Sequence, residues 1–126
     1  MKKDIETIED IKVVVNTFYA KIQKDELLGQ IFNNKIKNNW DKHLEKMYTF
    51  WQTLLLNEHT YFGSAFHPHE KLPISKEHFD HWISLFKNTI DNNFSGPKSE
   101  EAKSRAENMA LVFNYKIDYL KSNPKD

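Results

Sequence analysis

Helical spacing of apolar residues is the feature that most limits how this chain can fold. Four long stretches carry apolar residues three and four positions apart, which is the period of one helix face. No stretch alternates apolar and polar residues as a half-buried strand would. The sequence therefore predicts an all-α protein of four main helices plus short turns. Its 126 residues suit one domain over residues 1–126, with a disordered tail at 121–126.

The first two predicted helices each carry one polar ring on an apolar face. The first begins at a capping box that starts with Thr7, runs to about Lys24, and places Tyr19 at the edge of its apolar stripe. The second runs from Trp40 to about Leu56, and His43 lies on its apolar face. The Tyr19 hydroxyl either finds a buried partner or reaches the surface, and His43 is either a core histidine or part of a ligand pocket.

The segment between these helices is predicted to be irregular. Residues 25–32 pack four apolar residues around Gly29, which indicates a turn or a single helical turn with Phe32 pointing inward. The Asn-rich residues 33–39 are typical of a connection, and Asn38 or Asn39 is expected to cap the next helix.

A histidine-rich stretch follows, since four of the six histidines lie between Tyr61 and Trp82. Residues 57–74 have no helical period, which predicts a long loop, and such loops are often functional. Ser75 then caps a helix that turns Phe79 and Trp82 inward, and the last helix is expected over residues 99–120. His69 is the candidate ligand of this loop, although loop histidines are more commonly solvated and His67 is a rival two residues away.

Composition argues against several function classes. Eighteen basic and eighteen acidic residues cancel, and no basic cluster predicts binding to nucleic acid or to an anionic membrane. The absence of cysteine excludes disulfides, a thiolate nucleophile, an iron–sulfur cluster and covalently attached haem. The amino-terminal residues are too charged for a signal peptide, which predicts a soluble cytoplasmic protein. Phosphate-binding loops and hydrolytic triads have no signature here.

Four residues form a set that suits haem in a chain with 13% aromatic residues. They are Tyr19, which is expected to be buried, His43 on an apolar helix face, His69 in the loop, and Trp82, which is expected to point inward. The motifs in which they stand are Phe18-Tyr19, Gly29-x-Ile31-Phe32, Trp40-x-x-His43, Phe50-Trp51, Tyr61-x-Gly63, His69-x-x-Leu72-Pro73 and His78-Phe79-Asp80-x-Trp82. In order and spacing these motifs resemble the group III truncated haemoglobins over nearly the whole chain. Three positions depart from the pattern usual in that family, namely Ala65, Phe66 and His81, where proline, methionine or leucine, and arginine are common.

The resemblance implies a shortened bacterial globin with helices stacked two over two around a non-covalent haem b. His69 would be the proximal iron ligand, and Tyr19, His43 and Trp82 would form the distal pocket. The remaining haem-pocket residues would be Phe32, Met47, Phe50, Phe66, Phe79, Met109 and Phe113.

The implied ligands are the diatomic gases O2, NO and CO, bound by a monomer that receives electrons from a reductase. Tyr19 and Trp82 are hydrogen-bond donors in an apolar pocket, so they would stabilise the partial negative charge of bound dioxygen and slow its release. Slow release favours oxygen chemistry, protection against nitric oxide and reactive nitrogen, or ligand sensing over bulk oxygen transport. Nitric oxide dioxygenase-like and peroxidase-like activities fit this expectation.

Two other interpretations stay open on sequence alone. A non-haem metal could be held by clustered histidines, namely His67, His69, His78 and His81. This site lacks an obvious fourth ligand, and the Glu-x-x-His motifs of di-iron bundles are absent. A cofactor-free helical interaction module is the second, and it leaves Tyr19 and His43 unexplained.

Overall fold

The computed structural model describes residues 2–58, 69 and 72–122, and these residues contain five helices and no strand. The helices are α1 (Ile8–Lys24), α2 (Gly29–Ile36), α3 (Trp40–Leu56), α4 (Lys76–Asn93) and α5 (Pro97–Ser122). The all-α prediction is confirmed. Within the same ranges, no helix is long and apolar enough to cross a membrane.

The helix starts predicted from capping residues are confirmed at α1 and α4. Thr7 accepts a hydrogen bond from the Asp10 N–H, and the Asp10 carboxylate accepts one from the Thr7 N–H at 3.1 Å. Ser75 caps α4, where Nδ1 of His78 lies 3.0 Å from the Ser75 backbone nitrogen and accepts its hydrogen bond. Both caps use side chains within three residues of the helix start, so the local sequence is sufficient to predict them.

Helix α2 corrects the prediction of an irregular segment. The expected turn at 25–32 and connection at 33–39 are replaced by a helix from Gly29 to Ile36, although Asn39 does stand at the N-cap of α3. A carboxylate oxygen of Asp25 accepts the N–H groups of Leu27 and Leu28 at 3.0 and 2.9 Å, which orders the chain before the helix. A Cβ on Gly29 would lie 2.9 Å from the carbonyl oxygen of Gln23, so only glycine allows α2 to start this close to α1.

Helix α5 is longer than predicted at both ends. It begins at Pro97, a residue suited to the first helical position, rather than at about Ser99. It continues through Ser122, two residues into the tail that was expected to be disordered, and residues 123–126 lie outside the described part of the chain. The Nζ of Lys121 donates to the Ile74 carbonyl oxygen at 3.0 Å, which ties the end of α5 to the residues before α4.

Two apolar clusters form the core. The larger joins α1, α3 and α4, where Phe18, Trp51 and Phe86 are each at most 5% exposed. The smaller consists of Ile74, Phe79, Ala110 and Ile117, and it lies between the amino-terminal half of α4 and the carboxy-terminal half of α5. Trp82 packs against both clusters, as its predicted inward position requires.

Candidate functional site

Tyr19 of α1 and Trp82 of α4 are brought to the same region by Phe18. The Phe18 ring meets the Tyr19 ring edge-on with centroids 5.0 Å apart, and it meets the Trp82 ring edge-on at 5.5 Å. Tyr19 is only 6% exposed, which favours a buried hydroxyl over one that reaches the surface. Burial raises the pKa of Tyr19 well above its ordinary value, so the hydroxyl keeps its proton and can act as a donor.

His43 of α3 completes this group. Its ring stands edge-on to Tyr19 at 5.0 Å and to Trp40 at 5.7 Å. The Nε2 atom of His43 is buried and has no hydrogen-bond partner among the residues that the structure describes. Burial lowers the pKa of His43 to about 4, with smaller contributions from the charges of His69 and Lys46. The imidazole is therefore neutral at neutral pH, and its unpartnered nitrogen can serve a polar ligand.

His69 approaches this region from the segment before α4. Its ring lies 5.0 Å from the Phe113 ring of α5, and its carbonyl oxygen accepts the Leu72 N–H at 3.1 Å. His69 and His43 are close enough for the charge of one to shift the pKa of the other.

The predicted haem-contact residues are divided between the two core clusters. Partly buried residues against the larger cluster are Phe32, Met47, Phe50 and Met109. In the smaller cluster, Phe79 is buried and Phe113 packs against it. Phe66 lies outside the described residues, as do Ala65 and the rival ligand His67. Of these residues, Phe113 contacts the His69 ring.

These residues fit a haem. A haem needs an axial nitrogen, apolar walls and polar groups on the ligand side. His69 has a suitable ring nitrogen, Phe113 is an apolar wall beside it, and Nε2 of His43 is a polar group without a partner among the described residues. The fit rests on the buried, unpaired nitrogen of His43, because an apolar core without a guest would leave that atom at a cost in stability.

The non-haem metal interpretation loses two of its four histidines. His78 is used as the cap partner of Ser75, and Nε2 of His81 lies 2.6 Å from Oδ1 of Asp25. In residues 2–58, 69 and 72–122, no group of three side chains is arranged to hold a metal ion.

Sequence reasoning missed two features of this region. Oδ1 of Asn114 is buried and, among the described residues, has no hydrogen-bond partner. Its position four residues after Ala110 on the inward stripe of α5 is a signal that could have revealed it. The contact between Asp25 and His81 joins residues 56 positions apart, and no local pattern indicates it.

The lowered pKa of His43 has a testable consequence for stability. The folded protein holds this histidine neutral down to about pH 4, whereas the unfolded chain protonates it near its ordinary pKa of 6.5. The stabilisation is complete above the unfolded pKa and is lost as the pH falls from 6.5 towards 4. In urea unfolding of the wild-type protein, we expect the free energy of unfolding to decrease by up to about 3 kcal/mol over this window. The His43→Leu variant should not show this decrease.

Wild type and the His43→Leu variant share the other acid-sensitive groups, so their difference isolates this histidine. Hydrogen bonds and ion pairs lower the pKa values of Asp4, Asp10 and Glu101 despite partial burial, and these carboxylates weaken both proteins at low pH. Parallel stability curves for the two proteins between pH 6.5 and 4 would show that His43 is not held neutral.

Comparisons with known proteins agree with this geometry. Residues 4–114 match the profile of the family described as bacterial-like globin. A group 3 truncated haemoglobin from Campylobacter jejuni subsp. jejuni serotype O:2 is 32% identical over 117 residues, which are 90% of this chain and 92% of that protein. The crystal structure of a group III truncated haemoglobin from Campylobacter jejuni superposes with a TM-score of 0.85 at 31% identity, covering 93% of this chain and 95% of the other.

Proposed function

Because this chain belongs to the bacterial-like globins, and within them to the group III truncated haemoglobins, we propose that it binds haem b through His69 and holds small gases between Tyr19, His43 and Trp82. The observation that carries the proposal is the buried Nε2 of His43 beside the Tyr19 ring, which has no hydrogen-bond partner in the described part of the chain. A haem bound there would supply an iron centre for O2, NO or CO.

His69 would hold the cofactor from the proximal side. A neutral imidazole can give one ring nitrogen to iron while the other donates a hydrogen bond that orients the ring. The Phe113 ring at 5.0 Å supports the His69 ring from α5 and limits its rotation. Phe79, which is buried beside Phe113, supplies an apolar wall that keeps water away from this side.

Tyr19 and Trp82 would act on the gas as donors. Tyr19 keeps its proton at neutral pH, because burial raises its pKa. The indole N–H of Trp82 can only donate. Phe18 packs edge-on against both rings and so links the two helices that carry these donors. His43 adds a neutral nitrogen whose role as donor or acceptor is set by its tautomer.

Two donors in an apolar pocket favour retention of a polarised gas over its rapid release. We therefore propose roles in oxygen chemistry, protection against nitric oxide and reactive nitrogen, or gas sensing, rather than in bulk oxygen transport. A nitric oxide dioxygenase-like or peroxidase-like reaction would need electrons from a reductase. That partner, the monomeric state and a cytoplasmic location stay predictions.

The absorption spectrum of the purified protein titrated with haemin tests the proposal. We expect an intense Soret band that saturates at one haem per chain and, after reduction, shifts on addition of carbon monoxide. Bound zinc or iron without a Soret band would indicate the histidine metal site instead. A protein that takes up neither haem nor metal would be a helical interaction module.

A further inference from the structure

Asp25 joins three helices through one side chain. It stands at the end of α1, where its N–H donates to the Ile22 carbonyl oxygen at 3.1 Å. Its Oδ2 accepts the N–H groups of Leu27 and Leu28 immediately before α2. Its Oδ1 lies 2.6 Å from Nε2 of His81 on α4. The Asp25 side chain is 15% exposed, whereas that of His81 is 38% exposed, so the carboxylate is the more shielded partner.

The contact with His81 is a charge-assisted hydrogen bond. Partial burial disfavours the charge of Asp25, but the hydrogen bonds from His81, Leu28 and Leu27 outweigh this cost and hold the pKa of Asp25 below its ordinary value. The carboxylate is therefore an acceptor at neutral pH, and Nε2 of His81 must carry the donated hydrogen. Short hydrogen bonds to a charged acceptor are stronger than neutral ones and constrain the distance between their helices more firmly.

All three helices that meet at Asp25 contribute to the distal side of the candidate pocket. His81 is the residue before Trp82 on α4, and adjacent helical side chains point about 100° apart. The bond to Asp25 therefore sets the rotation of α4 at the point from which Trp82 projects. Tyr19 lies upstream on α1, and Phe32 of α2 packs on its ring at 6.1 Å.

We propose that Asp25 and His81 are positioning residues, whose hydrogen bond sets the separation of Tyr19 and Trp82 and thereby the strength with which both hold one gas molecule. This inference rests on the proposed function, since it requires a gas between those two donors. It assigns a role to a residue pair outside the set proposed to hold the haem and the gas.

The test measures dioxygen dissociation and the C–O stretching frequency of the carbon monoxide complex in the haem-loaded protein. His81→Leu removes the donor and puts an apolar side chain of similar bulk in its place, so α4 can rotate. We expect dissociation to be faster by roughly three- to thirty-fold, the range typical of residues that couple indirectly to a site. The stretching frequency should rise, because fewer donors polarise the ligand.

Two further variants separate positioning from general stability. His81→Gln places an amide donor near the former Nε2 and should restore most of the wild-type rate and frequency. Asp80→Asn weakens the exposed pair of Lys76 and Asp80, whose atoms lie 2.7 Å apart within α4, and should change neither measurement. In a Trp82→Phe background, His81→Leu should have little additional effect, because the donor that it positions is already gone.

The outcomes distinguish this inference from the proposed function. If His81→Leu has the wild-type rate and frequency while Trp82→Phe does not, the positioning role is overturned and the distal pocket stands. If His81→Leu acts equally in the wild-type and Trp82→Phe backgrounds, its effect does not pass through Trp82, and the inference is wrong. A protein without a Soret band would overturn both.

Discussion

Replacement of His69 by glycine is expected to abolish haem binding or to change the Soret band severely. Among the residues that the structure describes, His69 supplies the proposed axial nitrogen, and the Phe113 ring against which it lies offers no substitute ligand. Loss of that nitrogen leaves the proximal side without its axial ligand, so the spectrum changes even if His43 binds the iron from the distal side. The measurement is haemin titration followed by absorption spectroscopy of the oxidised and reduced protein.

Two controls make the assignment specific. His67→Gly should retain the wild-type spectrum, because the spacing to Leu72-Pro73 favours His69 as the ligand. Added imidazole should restore the spectrum of His69→Gly, since it can enter the space of the missing ring and bind the iron. The reverse pattern, in which His67→Gly loses haem and His69→Gly keeps an unchanged spectrum, would show that the wrong histidine has been chosen.

Substitution of Tyr19 by phenylalanine is expected to speed dioxygen dissociation by roughly ten- to a hundred-fold. A hydrogen bond to a charged acceptor contributes about 1.5 to 3 kcal/mol, and this free energy corresponds to that ratio of rates. Phenylalanine keeps the ring contacts of Tyr19 with Phe18 and His43, both at 5.0 Å, so the change removes the hydroxyl and little else. Stopped-flow measurement of dissociation gives the rate.

Trp82→Phe should act in the same direction as Tyr19→Phe. If both donors serve one ligand, the double variant should differ from the product of the single effects, because the remaining donor and any entering water rearrange when the first is lost. Wild-type rates in both single variants would remove this account of the distal pocket and leave haem binding intact.

The positions and types of most helices could be predicted from the sequence, because they depend on interactions within a few residues. The capping box at Thr7 and the Ser75 cap are local hydrogen bonds, and the apolar period identifies the inward faces of α1, α3 and α4. Helix α2 could not be predicted from such local patterns, because the asparagine-rich residues 33–39 are typical of a connection. In the structure, the Asp25 carboxylate orders the chain before this helix, and Gly29 allows the helix to start close to α1.

The candidate site was predictable only as a set of side chains on inward faces. The helical period assigns a face to every residue, so the order of the amino acids was enough to predict that Tyr19, His43 and Trp82 lie on or beside the apolar side of a helix. Three contacts could be seen only in the folded protein: Phe18 packs between Tyr19 and Trp82, Nε2 of His43 has no partner among the described residues, and Asp25 meets His81. The physical reason is that these contacts depend on the angle and distance at which whole helices pack, and those are set by the combined fit of side chains far apart in the chain.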